Sequence, residues 1–231
     1  ELCDRGAGDG ADGLLVIEPP PDDRSLVTMR VLNADGSEAE MCGNGVRCVA
    51  RFLAERGAPD RFRIATAAGP IDVEILSRAA AYSVLATMGT PRLEEESALE
   101  IDGRTWRYRA VSLGNPHAVI FVRNVSAIDL ERDGKLLATH PRFPNGTNVH
   151  FVEIVDSSTI RARHYERGVG ITQSCGTGAV ASVVAAVAAG KAKSPVTVHV
   201  PGGTLVVEWR PDGTATMTGP AEHGAASSPH A

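Results

Sequence analysis

Two cysteines stand in matching short contexts, Cys42-Gly-Asn-Gly45 and Cys175-Gly-Thr-Gly178. Each ends a turn and opens an apolar segment with helical spacing, Val46 to Leu53 in one case and Gly178 to Ala189 in the other. A helix start carries backbone N–H groups without intrahelical partners and a partial positive charge, so it attracts an anion such as a carboxylate. The glycines let that backbone approach a ligand closely. A cysteine placed there has its thiolate favoured, so its pKa is expected to fall toward neutrality and the sulfur to exchange protons with carbon. Two such thiols facing one α-carbon from opposite sides would invert it. One takes the proton and the other returns a proton from behind. Helix ends that stabilise the carbanion would make a pyridoxal cofactor unnecessary.

One Cys-Gly-x-Gly turn is a weak signal, but its recurrence with the same neighbouring elements is an internal repeat of a chemistry-bearing unit. The competing reading is that both cysteines are small buried residues beside tight turns. For Cys48 that reading wins, because it lies about 240° around the helix from Cys42. Cys3, near the chain start, also reads as structural. The four cysteines and seven histidines show no spacing suited to a metal, so no metal site is expected. Gly43-x-Gly45 lacks the third glycine of a dinucleotide fingerprint, which argues against a nicotinamide or flavin enzyme.

The elements that must hold these turns follow from alternation and punctuation. Strands are predicted at 14–17 and 26–32, separated by a proline-rich loop, then at 61–65, 71–76 and 82–88. Further along they are expected at 106–113, 118–122, 149–155, 160–165, 196–200, 204–209 and 214–217. Gly89-Thr-Pro91 and the acidic run Glu94-Glu-Glu96 mark the boundary between two halves, and the acidic run itself reads as a solvated loop. The expected domains are 1–89 and 90–217, with 218–231 returning to the first.

A chain of 231 residues with 43% hydrophobic and 22% charged residues describes an ordinary globular protein. A net charge of −5 without a basic patch disfavours nucleic acid. The longest apolar stretch, Ala179 to Ala189, is far too short to cross a bilayer and reads as a buried helix. The start of the sequence shows no apolar secretory segment. Free thiols suit a reducing, cytoplasmic setting.

With these features in place, the sequence resembles the diaminopimelate epimerase family. The resemblance runs through Asn33-Ala-Asp-Gly-Ser-Glu-Ala-Glu-Met-Cys-Gly-Asn-Gly-Val-Arg-Cys48, Gly114-Asn-Pro-His117, Gly146-Thr-Asn-Val149, Tyr165-Glu-Arg-Gly168 and Ser174-Cys-Gly-Thr-Gly178, from about Leu2 to Pro220. It starts past the asparagine-bearing first strand typical of the family. It implies an α/β fold of the α+β type, with two pseudo-symmetric domains, each a mixed sheet wrapped around a central helix, and an active site in the cleft between them. It also implies a cofactor-free isomerase that converts LL-diaminopimelate to the meso form for lysine and cell-wall synthesis. The substrate is then a small molecule, with no membrane or nucleic-acid partner, and a homodimer is left open.

By motif position the resemblance makes Cys42 and Cys175 the catalytic thiols, with His117 and Glu166 as the polar groups that tune them. It assigns Asn33, Asn115, Asn148 and Arg167 to the far amino and carboxylate ends of the substrate. Gly43, Asn44, Gly176 and Thr177 would supply helix N-termini to the reacting carboxylate. Two positions depart from the family pattern. Ile171 stands where a carboxylate is usual, and His150 where a small or amide residue is usual. They leave room for a same-fold racemase of another amino acid or for a non-catalytic binding homologue.

Overall fold

The computed structural model describes residues 3, 11, 13–79 and 82–223. The chain forms two units, Glu1–Ala86 with Gly219–Ala231, and Thr87–Thr218.

In the first unit, alternating apolar residues form β1 (Gly13–Glu18) and β2 (Val27–Asn33), which pair antiparallel with Leu15 opposite Val31. A short β3 (Glu38–Ala39) pairs with β2. Helix α1 (Gly43–Ala54) then crosses over to β4 (Arg61–Ala65), which lies parallel to β2. β5 (Ile71–Ser77) and β6 (Ser83–Thr87) continue antiparallel. One face of α1, carrying Val46, Val49, Ala50 and Ala54, is buried, while Cys48 and Phe52 on the other face are exposed. Residues 219–223 belong to this unit. Arg47 Nε donates to the Pro220 carbonyl (3.0 Å) and Arg51 Nη1 to that of Ala221 (2.6 Å).

The second unit repeats this order and extends it. It opens with β7 (Arg92–Ile101), β8 (Arg104–Ser112) and β9 (Pro116–Val122), an antiparallel series. A segment containing a π-turn at Leu130–Gly134 and the short α2 (Lys135–Ala138) follows. Next come β10 (Asn148–Asp156), parallel to β9, and β11 (Thr159–Glu166), with His150 opposite His164. A short β12 (Gly170–Thr172) pairs with β11. Helix α3 (Gly176–Ala188) crosses over to β13 (Val196–Val200), parallel to β11, and β14 (Gly203–Trp209) and β15 (Ala215–Pro220) finish antiparallel.

The series β10-β11-β12-α3-β13-β14-β15 thus repeats β1-β2-β3-α1-β4-β5-β6 element for element. α3 is built from alanine, valine and glycine with Thr177 and Ser182, and every residue from Gly176 to Ala186 is buried. A helix apolar all round belongs inside a core, and strands β8 to β11, β13 and β14 pack against it. A second core, with Trp106 edge-on to Phe151 at 5.6 Å, lies under β7 to β10 and the 125–138 segment.

Three sequence expectations are corrected. Glu94-Glu-Glu96 is not a loop but part of β7, at the edge of its sheet, with a register irregularity between Leu93 and Glu96. An edge strand tolerates charge because one side of its backbone is unpaired and meets solvent. Helix α1 starts at Gly43 rather than Val46, and α3 at Gly176 rather than Gly178. Glycine disfavours helix interiors, but in each case a side-chain cap holds the first turn.

Candidate active site

The caps are the two cysteines. Cys42 is the N-cap of α1 with φ −134° and ψ 108°, and Cys175 is the N-cap of α3 with φ −127° and ψ 110°. In each the sulfur accepts from the N–H of the third helical residue, Gly45 at 3.3 Å and Gly178 at 3.4 Å. In each the carbonyl accepts the first intrahelical bond, from Val46 at 2.9 Å and Ala179 at 2.8 Å. Sulfur here does the work of the usual serine or aspartate oxygen. The turn at Gly43 and at Gly176-Thr177 directs first-turn N–H groups along the helix axis, where no carbonyl lies one turn back.

The third residue is glycine in both turns for the same steric reason. A Cβ on Gly45 would sit 2.7 Å from Cδ2 of Leu15, and one on Gly178 would sit 2.8 Å from Nδ1 of His150. Leu15 and His150 each occupy the third position of equivalent strands, β1 and β10.

Surroundings distinguish the thiols. Cys175 is buried, with the Thr177 hydroxyl at 3.6 Å. Burial first, and then the Glu166 carboxylate, push its thiol well above the ordinary value, and the Thr177 hydroxyl and Gly178 N–H offset this only in part. The expectation of a lowered thiol pKa is therefore reversed at Cys175. In a dry site the cost of desolvating a thiolate exceeds the help of a helix end. Glu166 ends β11 and accepts from Thr172 Oγ1 at 2.6 Å.

His117 is buried, and both of its ring nitrogens are engaged, Nε2 with Asn115 Oδ1 at 2.8 Å and Nδ1 with His150 Nε2 at 2.8 Å. Burial, then His164 and Arg167, push it down to about 3, so it stands as a neutral imidazole. Asn148 ties three strands, donating through Nδ2 to the Pro116 carbonyl (3.0 Å) and accepting at Oδ1 from the Arg167 N–H (3.0 Å). Arg167 in turn donates to the Asn145 carbonyl at 2.9 Å. The second unit therefore collects Asn115, His117, Asn148, Arg167, Glu166 and the Cys175 turn around the ends of β9, β10 and β11.

In the first unit, Asn33 closes its own turn, donating through Nδ2 to Ser37 Oγ at 2.9 Å, with Gly36 at φ 84°. Asn44 Oδ1 accepts from Arg47 Nη2 at 2.9 Å. Arg47 is a residue sequence reasoning missed. Buried and also bonded to the Gly43 carbonyl at 3.1 Å, it fastens the Cys42 turn to residue 220. Its position one turn after Gly43 was the available signal. Ile171 is exposed on β12, opposite Tyr165. Among the described residues no group of His, Cys, Asp and Glu side chains is arranged to hold a metal ion, and no helix is long and apolar enough to cross a membrane.

The duplicated sheet-and-helix unit, with a cysteine capping each crossover helix, is the framework on which its relatives place the chain among isomerases of the amino-acid epimerase and racemase class. In solved structures the fold recurs in a hydroxyproline epimerase from Agrobacterium vitis (TM-score 0.77, 20% identity, covering 94% of this chain and 74% of that one). It recurs also in a probable proline racemase from Agrobacterium radiobacter (TM-score 0.74, 19% identity, covering 97% and 79%). The chain belongs to the diaminopimelate epimerase family, whose model matches residues 1–94 and 109–224. Diaminopimelate epimerases of Synechococcus elongatus and Pelotomaculum thermopropionicum are 45% and 44% identical, each alignment covering 96% of this chain and 84% of the relative.

Proposed function

We propose that this chain interconverts LL- and meso-diaminopimelate without a cofactor, using Cys42 and Cys175 as opposed base and acid. The duplicated N-cap cysteine carries the proposal. Two-base inversion needs two equivalent proton carriers, and the two turns agree in cap position, backbone angles and sulfur hydrogen bond. Family membership supports the substrate.

The reaction needs both sulfurs to address one α-carbon from opposite faces. Cys175 holds its proton, so in the first half-reaction it is the donor and Cys42 the base. The Cys42 sulfur takes the α-proton as the Cys175 sulfur delivers its own to the other face, and the two protonation states are exchanged at the end. Gly43, Asn44, Gly176 and Thr177 direct first-turn N–H groups to the reacting carboxylate, where they stabilise the charge that develops next to it. Glu166 beside Cys175 favours the protonated thiol and so sets which sulfur starts as acid. Asn33, Asn115, Asn148 and Arg167 serve the far end of the substrate. We assign the enzyme to the cytoplasm on its free thiols, Cys3, Cys42, Cys48 and Cys175.

A racemase of another amino acid is the second reading, favoured by Ile171, an exposed apolar side chain where the sequence resemblance implies a carboxylate. Incubation in heavy water with LL-diaminopimelate beside a panel of common amino acids separates the two. Deuterium at the α-carbon of diaminopimelate alone is expected. Faster exchange into another amino acid would replace the substrate assignment.

A further inference from the structure

The histidines at 117, 150 and 164 form one buried chain. His117 Nδ1 meets His150 Nε2 at 2.8 Å, and His150 Nδ1 meets His164 Nδ1 at 2.8 Å. All three rings are almost wholly enclosed. The chain begins at Asn115 Oδ1 and ends at His164 Nε2, which is buried without a hydrogen-bond partner among the described residues. The nitrogens face one another in pairs rather than converging on a point, so this is a hydrogen-bonded chain and not a metal site.

The repeat supplies an internal control. The strand positions held by His150 and His164 are held in the first unit by Leu15 and Val31, which are likewise paired with each other. Leu15 presses on Gly45 as His150 presses on Gly178. An aliphatic side chain, partly exposed at Leu15, therefore stands against a capped helix at this position in the first unit, and imidazoles are not demanded by the repeated strand register. What the imidazoles add is a hydrogen bond to Nδ1 of His117.

We propose that His150 and His164 are positioning residues that order the protons of His117 and thereby fix the amide of Asn115. Each neutral ring has one N–H and one lone pair, so one choice of direction sets all three tautomers. An unpaired N–H in a dry site is rarer than an unpaired acceptor, which leaves the lone pair, not the proton, at His164 Nε2. His164 then donates from Nδ1 to His150, His150 donates from Nε2 to His117, and His117 donates from Nε2 to Asn115 Oδ1. The carbonyl of Asn115 is consumed and its N–H2 is the end left to a ligand. It suits a carboxylate oxygen and not an ammonium. Burial supports the neutral state, holding His164 at about 4 and His150 well below the ordinary value. The charged group acting on His117 from outside the chain is Arg167, which also disfavours a further positive charge. The ligand half of this inference rests on the proposed role of Asn115 at the far end of the substrate, whereas the proton order does not.

The test joins ring-nitrogen NMR of the full chain with kinetics. Long-range proton–nitrogen spectra of the unliganded protein are expected to show His117 and His150 protonated on Nε2 and His164 on Nδ1. The opposite set overturns the proposal whether or not the protein is an epimerase. The double variant His150→Leu/His164→Val installs the residues of the first unit. It is expected to raise KM for diaminopimelate roughly 2- to 10-fold, the worth of one net hydrogen bond, with kcat within about 2-fold. His150→Gln, whose amide donates and accepts at once, is expected to return KM to within about 2-fold of the unaltered protein. If the double variant does not fold, His150→Leu alone, which removes the donor to His117 Nδ1, carries the same expectation. An unchanged KM in the folded variant overturns the positioning role. Absence of turnover by the unaltered protein removes the substrate reading and leaves the tautomers to decide the proton order.

Discussion

Gly178 and His150 are in contact. A Cβ at Gly178 would lie 2.8 Å from Nδ1 of His150 and closer still to Cε1. The ring cannot turn aside, since His117 and His164 hold it from both sides. Gly45 is equally crowded, but by the end of the flexible and partly exposed Leu15 side chain. Gly178→Ala is therefore expected to destabilise the protein by about 1–3 kcal/mol, the usual cost of overpacking, and Gly45→Ala by less than about 1 kcal/mol because Leu15 can move to another rotamer. Urea unfolding of the two variants checks the asymmetry, and equal losses would show that the histidine chain is not rigid.

Acid should act on the same chain. His117 and His164 titrate lower in the folded state, at about 3 and about 4, than the ordinary 6.5, and His150 shifts in the same direction. A depressed folded pKa means that the unfolded state binds protons first. The stabilisation is complete above about pH 6.5 and is lost as pH falls toward the folded values. Between about pH 6.5 and pH 5, His117 and His164 together should remove on the order of 3 kcal/mol. Chemical unfolding across that range should show the loss, and His150→Leu/His164→Val should flatten it. An equally steep loss in the double variant would place the acid sensitivity elsewhere.

Glu166 and Cys175 make a third case. The carboxylate is, after burial, the largest influence raising the thiol. Glu166→Gln should bring the Cys175 ionisation down, although burial keeps it above that of a free cysteine. The Cβ carbon shift of labelled cysteine, followed against pH, reports this directly. An upward movement in the variant would contradict the assignment of Glu166 as the group that keeps Cys175 protonated.

Much of this arrangement was readable before the fold was known. Alternation located β4 at Arg61–Ala65 and β13 at Val196–Val200 to the residue, because half-buried strands must alternate. The cysteine turns were readable because both capping and chemistry depend on local spacing. The helix starts were misjudged because propensity scores glycine without seeing a sulfur cap. β7 was hidden because an edge strand need not look apolar. The histidine chain was out of reach for a different reason. Residues 117, 150 and 164 have no mutual spacing that signals contact, and only the β10–β11 register brings His150 opposite His164. His150 was visible solely as a departure from a family pattern, and its meaning lies in the two other rings.

The most direct test of the account is to follow α-proton exchange and LL-to-meso conversion in heavy water with the unaltered enzyme, Cys42→Ser and Cys175→Ser. Serine is a favoured N-cap, so both variants should fold with unfolding midpoints near that of the parent. Each should lose at least about 100-fold in conversion, as expected when one member of an acid–base pair is removed. If either folded variant converts LL- to meso-diaminopimelate at close to the parental rate, Cys42 and Cys175 are not the two proton carriers.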